Sequence, residues 1–221
     1  MFSKNIITVR KSNSSLVLYP TLKKTTKDDL KNKYNDFNSI VLGLAAILLI
    51  AFFPMSYMVN WILPNYKIAV KIFFVLSPGV TITSAITVII HNYYKTLDKN
   101  KEFLVIGALN LVILTVGIFL THTFISKDII YIAATTTIVQ FIWYLSLDIY
   151  LNKEFKNLSI KNILFIVVSS MLFYSTYFIE NLFIGFFAYG LIILIIILLF
   201  YGKQIYDLYL KLKRTKSKSI K

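Results

Sequence analysis

The chain has 221 residues, 57% of them hydrophobic, 16% aromatic and only 15% charged, with a mean hydropathy of +0.69. That is more apolar and less charged than a water-soluble domain, and it excludes a disordered chain, a collagen-like repeat and a disulfide scaffold. The formal charge is +14. The basic residues lie in the gaps between apolar stretches, so the excess points to membrane orientation and an anionic inner leaflet, with no nucleic-acid partner.

Residues 1–38 are polar and basic, with no apolar run of signal-peptide length. The reading is no cleaved export signal, with the first spanning helix inserting the chain. Ile6-Ile7-Thr8-Val9-Arg10 and Leu16-Val17-Leu18-Tyr19 are β-prone runs around Lys11–Ser15, with Pro20 following. They predict a short hairpin. Thr26 to Asn35 predicts a short polar helix capped by Thr25 or Thr26.

Four apolar stretches follow, Ile40–Leu63, Ile68–Ile90, Phe103–Ile125 and Ile129–Leu151. Each exceeds the roughly 20 residues that cross a bilayer. Ile163–Tyr201 carries one charge, Glu180. As one helix it would run to about 60 Å, twice the hydrocarbon thickness, so it must fold back at Glu180-Asn181. The expectation is an all-α integral membrane protein of six transmembrane helices. A basic cytoplasmic segment (1–38) precedes the bundle (39–202), and a basic amphipathic tail (203–221) follows it along the inner leaflet.

Charge sets the orientation. Of 24 Lys and Arg, all but Lys67, Lys71 and Lys127 fall in the N-terminal segment, the gaps after helices two and four, or the tail. By the positive-inside rule both termini are cytoplasmic. Trp61, Tyr57 and Tyr66 suit an outer aromatic belt; Tyr93, Tyr94, Tyr150 and Tyr206 suit an inner one. The outer turns are a few residues long, so a partner is met inside the bilayer, at shallow turns, or from the cytoplasm.

The chemistry is mostly absent. There is no cysteine, and the only histidines, His91 and His122, fall near opposite membrane faces. No phosphate loop, zinc-binding pair or intramembrane acidic pair occurs. The reading is no enzyme, no metal and no cofactor. Lys71, Asp148 and Glu180 are the ionisable residues within or beside spans, hence candidates. All three are near span ends, where interface charges are ordinary, with Asp148 near Lys153. Gly79, Thr83 and Thr87 form a small polar stripe on helix two; Thr136 and Gln140 on helix four, and Ser170 on helix five, carry others. Such stripes pack helices together, line a path, or grip a foreign helix. Pro54 and Pro78 should kink their helices.

Phe52-Phe53-Pro54-Met55, then Asn60-Trp61-Ile62-Leu63-Pro64 and Tyr66-Lys67-Ile68, resembles the entry to the first outer turn in a family of multi-spanning membrane proteins of Gram-positive bacteria. The β-prone Ile7–Leu18 resembles their N-terminal segment. The likeness covers the first third of the chain and departs by extra residues between Met55 and Asn60 and by a longer Lys-rich stretch before helix one. The family includes immunity proteins against a type VII-secreted, membrane-depolarising toxin. The resemblance implies a non-enzymatic protein of the bacterial cell membrane that neutralises a membrane-inserting toxin by intramembrane contact, with the polar stripes as the grip. The alternative is the membrane-spanning permease subunit of an ABC-type exporter, partnered by an ATPase, with the loops His91–Glu102 and Asn152–Asn162 as coupling helices. A small-solute transporter is disfavoured, because no charges pair at mid-membrane.

Overall fold

The computed structural model describes residues 27–155 and 160–218, with side chains described for Leu30, 33–155 and 160–206. The hairpin and the threonine cap expected near the N-terminus lie outside these residues. Helix α1 (Lys27–Leu48) passes through a 3-10 turn (Leu49–Ala51) into α2 (Phe52–Ile62). A second 3-10 turn (Pro64–Tyr66) reverses the chain into α3 (Lys67–Ala85), a π turn (Ile86–Ile90) and α4 (His91–Thr96). Then come α5 (Asn100–Leu120) with a π turn (Thr121–Ile125), α6 (Ile129–Phe155), α7 (Ile160–Ser175) with a 3-10 turn (Thr176–Phe178), and α8 (Leu182–Lys218). No strand occurs among the described residues.

Six stretches are long and apolar enough to cross a membrane: Lys33–Ile62, Pro64–Thr96, Asn100–Ile125, Ile129–Phe155, Ile160–Phe178 and Leu182–Tyr206. This is the expected multi-pass architecture. Turns 63–66, 126–128 and 179–181 sit at one end of the bundle, called here the turn end. Lys27, turn 97–99 and the end of α8 sit at the other, the terminal end.

The polar helix expected at 26–35 is no separate element; it forms the first turns of α1, which runs unbroken across the 38/39 boundary. The reason is periodic burial. Leu30, Tyr34, Asn38 and Leu42 recur every four residues and are all buried. The tail likewise continues α8 without a break, giving a 37-residue helix about 55 Å long.

The interior has two storeys. Towards the turn end it is aromatic: Phe52, Phe74, Phe173 and Tyr189 interlock, with Phe74–Phe173 ring centroids 4.9 Å and Phe52–Phe173 5.4 Å apart. Towards the terminal end it is polar, as described below. Helix α5 stands apart, resting on α6, with no fully buried residue. Its outward Leu, Val and Ile side chains meet what lipid can cover as well as protein can.

Pro54 and Pro78 each leave one carbonyl without its helical donor. Pro54 follows the 3-10 turn Leu49–Ala51, where the carbonyl of Ile50 loses its helical donor. Pro78 lies inside α3 and has no N–H for the carbonyl of Phe74. The adjacent carbonyl, Val75 O, accepts hydroxyls from two other spans: Tyr174 OH at 2.7 Å and Thr137 Oγ1 at 3.0 Å. Three spans are thereby pinned beside Pro78, as neighbouring hydroxyls do around intramembrane prolines. Thr137→Val or Tyr174→Phe alone should cost under about 1 kcal/mol, since the other hydroxyl still serves that oxygen; together they should cost about 1–3 kcal/mol, more than their sum. Thermal unfolding in lipid nanodiscs measures this, and strict additivity would contradict it.

Candidate functional site

Asp148 departs furthest from its expected setting. An interface charge beside Lys153 was expected; instead the carboxylate is buried, 1% exposed, and Lys153 is exposed. The reason is that α6 continues to Phe155, placing Asp148 about 10 Å inside the helix end. Tyr34 OH donates to Asp148 Oδ1 at 2.6 Å, and Asn152 Nδ2 donates to Oδ2 at 2.7 Å. No cation pairs with it among the described residues.

A polar ladder extends from this pair. One turn along both helices, Asn38 Nδ2 donates to Tyr144 OH at 2.8 Å. Ser39 Oγ lies 2.6 Å from Asn35 O and 2.9 Å from Asn162 Oδ1, which Tyr201 OH reaches from α8 at 3.1 Å. The first, fourth, fifth and sixth spans are thus tied together at the terminal end. Asn38 Oδ1, Asn152 Oδ1, Asn162 Nδ2 and Tyr93 OH are buried there without a protein partner among the described residues. Tyr93 and Tyr94 correct the inner-belt expectation, being fully buried. Tyr93 packs edge-on to Tyr34 at 5.0 Å, and Tyr94 donates to Leu147 O at 3.2 Å.

The polar stripes behave differently. Gly79 and Gln140 come together: a Cβ at Gly79 would fall on the Gln140 carboxamide oxygen. Thr83 Oγ1 donates to Gly79 O and Thr87 Oγ1 to Thr83 O, within their own helix. Thr136 likewise donates to Ile132 O. Ser170 lines an apolar groove of about 460 Å³ between α6 and α7, floored by Val75 and Ile82 of α3. The structure does not bring these six residues onto one surface.

Lys71 and Glu180 open at the turn end into adjoining grooves that share Phe53 and Leu182. The groove beside Lys71 holds about 340 Å³. The one beside Glu180 holds about 750 Å³ and runs between α2 and the start of α8. Phe53 and Pro54, half of the Phe-Phe-Pro-Met motif, form its wall with Tyr57 and Met58. Asn181 caps α8, accepting from Phe183 N at 2.9 Å, which leaves Glu180 at the rim just outside the helix.

The turn after the second span is tight. Thr96 ends α4, Asp98 takes a left-handed conformation (φ 55°), and α5 starts at Asn100. Within His91–Glu102, therefore, no separate coupling helix forms. Lys99 meets Glu154 at 3.0 Å and Glu102 at 3.6 Å. The Glu154 carboxylate and then the Tyr150 hydroxyl hold its ammonium above the usual lysine range, against a smaller opposing effect of burial. His91 stacks on Phe103 at 4.7 Å. No group of three or more His, Asp or Glu fit to hold a metal occurs among the described residues.

Tyr34, Asn38, Tyr144 and Asn162 were missed by the search for charges and stripes. Their signal was spacing: Tyr34/Asn38 and Tyr144/Asp148/Asn152 recur every four residues, one polar face on each of two helices.

Gly79→Leu should destabilise the bundle by about 1–3 kcal/mol through overpacking against Gln140, and Gln140→Ala should recover most of that loss. Thermal unfolding of the single and double variants reads this directly; a double variant no better than Gly79→Leu would contradict it. Compared with models of known protein families, with curated proteins and with solved structures, the chain matches none.

Proposed function

We propose that this chain is a non-enzymatic protein of the bacterial cell membrane, both termini cytoplasmic, that neutralises a membrane-depolarising toxin by contact within the bilayer. The orientation rests on the placement of the basic residues. The function rests on the resemblance of residues 52–68 to the immunity-protein family and on one observation: Phe53 and Pro54 of that motif line the turn-end groove of about 750 Å³. A motif confined to core packing would carry no functional surface. This one faces both ways. Phe52 and Phe53 are buried in the aromatic storey, while Pro54, Met55 and Trp61 of the same motif stand exposed.

This changes the mechanism that the stripes implied. Gly79 and the Gln140 side chain pack on each other between α3 and α6, so the contact surface moves to the turn-end groove and the lipid-facing sides of the spans beside it. Helix pairing in lipid relies on close packing and a few polar contacts, since burying apolar surface gains little there. A groove between two spans supplies the packing. Occupying it would hold an incoming helix on this chain and away from its own copies, and a pore needs those copies.

The test is a sensitive bacterium expressing this chain alone, challenged with the toxin encoded nearest its gene, with membrane potential followed by a voltage-sensitive dye. The potential should hold. Tyr57→Ser with Met58→Ser should lose protection while the protein remains in the membrane. Depolarisation despite normal wild-type expression would overturn the reading, and rescue only on adding a neighbouring ATPase would replace it with the exporter permease.

A further inference from the structure

We infer that the turn-end groove is a seat for a cationic amphipathic helix, with Glu180 as the group that recognises its positive charge. The inference deepens the proposed function and rests on it for the identity of the natural partner.

Three observations combine. The groove walls are apolar, formed by Phe53, Tyr57 and Met58 on one side and Phe183 and Phe186 on the other. Its volume of about 750 Å³ suits several large side chains of one helix face. Among its lining residues Glu180, at the rim, is the one that carries a charge. Among the described residues the Glu180 carboxylate makes no ion pair and accepts no hydrogen bond. The comparable acid at the same end, Asp128, is occupied, accepting from Ile130 N at 3.0 Å as a helix cap. Asn181 performs that task for α8, through Phe183 N and Ile184 N. Glu180 is therefore not needed as a cap.

Charge then selects the occupant. An ordinary phospholipid lying in the groove would bring its phosphate towards a carboxylate, with repulsion in a region of reduced dielectric. A helix with an apolar face and basic residues would fill the groove and pair its cation with Glu180. Lys71, in the adjoining groove, fixes the register. It repels a basic residue, so the partner's positive charge is directed to the Glu180 side.

The test uses the full chain in nanodiscs of a zwitterionic phosphocholine lipid, titrated with a dansyl-labelled Leu/Lys amphipathic helix of about 20 residues. The background is the same titration with empty discs, and a Leu/Glu peptide of the same pattern is the control. Energy transfer from Trp61, on the groove's own helix, reports occupancy. The Lys peptide should bind saturably at one per chain. Glu180→Gln should weaken it about tenfold and Glu180→Lys further. Asp128→Asn should leave it unchanged, and circular dichroism should show both Glu180 variants folded. Equal binding by Glu180→Gln, equal binding of the Leu/Glu peptide, or loss of the bound peptide to a small fraction of lysyl-headgroup lipid would each overturn the inference, the last by assigning the groove to a lipid. Failure of the wild type to protect cells would defeat the proposed function and leave this result standing. Protection by Glu180→Lys equal to wild type would defeat the seat and leave the proposed function standing.

Discussion

The hydrogen bond from Tyr34 to Asp148 is the constraint around which the terminal half of the bundle is arranged. A carboxylate in an apolar interior is costly unless its oxygens are served, and no described cation serves this one. Tyr34 comes from the first span and Asn152 from Asp148's own helix, so the acid is served only while the first and fourth spans stay in register. Asn38 on Tyr144 repeats the link one turn along, and Asn162 extends it to the fifth and sixth. In lipid, apolar burial gives helices little reason to choose one neighbour over another. A ladder of polar pairs does, because any other register strands its members.

The other storey uses shape. Phe52, Phe53, Phe74, Phe173 and Tyr189 interlock there, and Gly185 lets α8 approach, since a Cβ at that position would lie 2.8 Å from the Phe53 ring. Beside Pro78, the carbonyl of Val75 is met by hydroxyls of Thr137 and Tyr174. Exposed charged side chains lie at both ends of the bundle, Lys33, Lys101, Lys153, Lys161 and Lys203 at the terminal end and Lys67, Lys71, Lys127 and Glu180 at the turn end. The grooves beside Lys71 and Glu180 open at the turn end, and the proposed partner contact lies there, outside the bundle.

The fold was legible because hydropathy and length settle span number almost alone. The fold-back at Glu180-Asn181 followed from length, and the structure turns there, with Asn181 as cap. The start of the first span was not legible. Lys27–Asn35 reads as polar, yet α1 is continuous because Leu30, Tyr34 and Asn38 face the core. The same blindness hid the ladder: tyrosines near a membrane interface read as belt residues, and only packing reveals that Tyr93 and Tyr94 point inward. Of the site candidates, Asp148 was found for the wrong reason. The small residues on α3 were identified as a stripe, but their partner, Gln140 against Gly79, required the pairing of α3 with α6. The grooves were not legible, since they arise between α2 and α8, far apart in sequence.

The most direct measurement of this account is a double-mutant cycle on Tyr34 and Asp148, read as thermal unfolding in nanodiscs. Tyr34→Phe alone leaves a buried carboxylate one bond short and should cost about 1–3 kcal/mol. Asp148→Leu removes the charge and leaves the Tyr34 hydroxyl and the Asn152 amide to satisfy. With both replaced, no buried charge remains and only the neutral Asn152 amide has lost its partner, so the double variant should be more stable than Tyr34→Phe alone. If the two losses simply add, Tyr34 and Asp148 act independently, and the polar ladder is not what sets the register of the bundle.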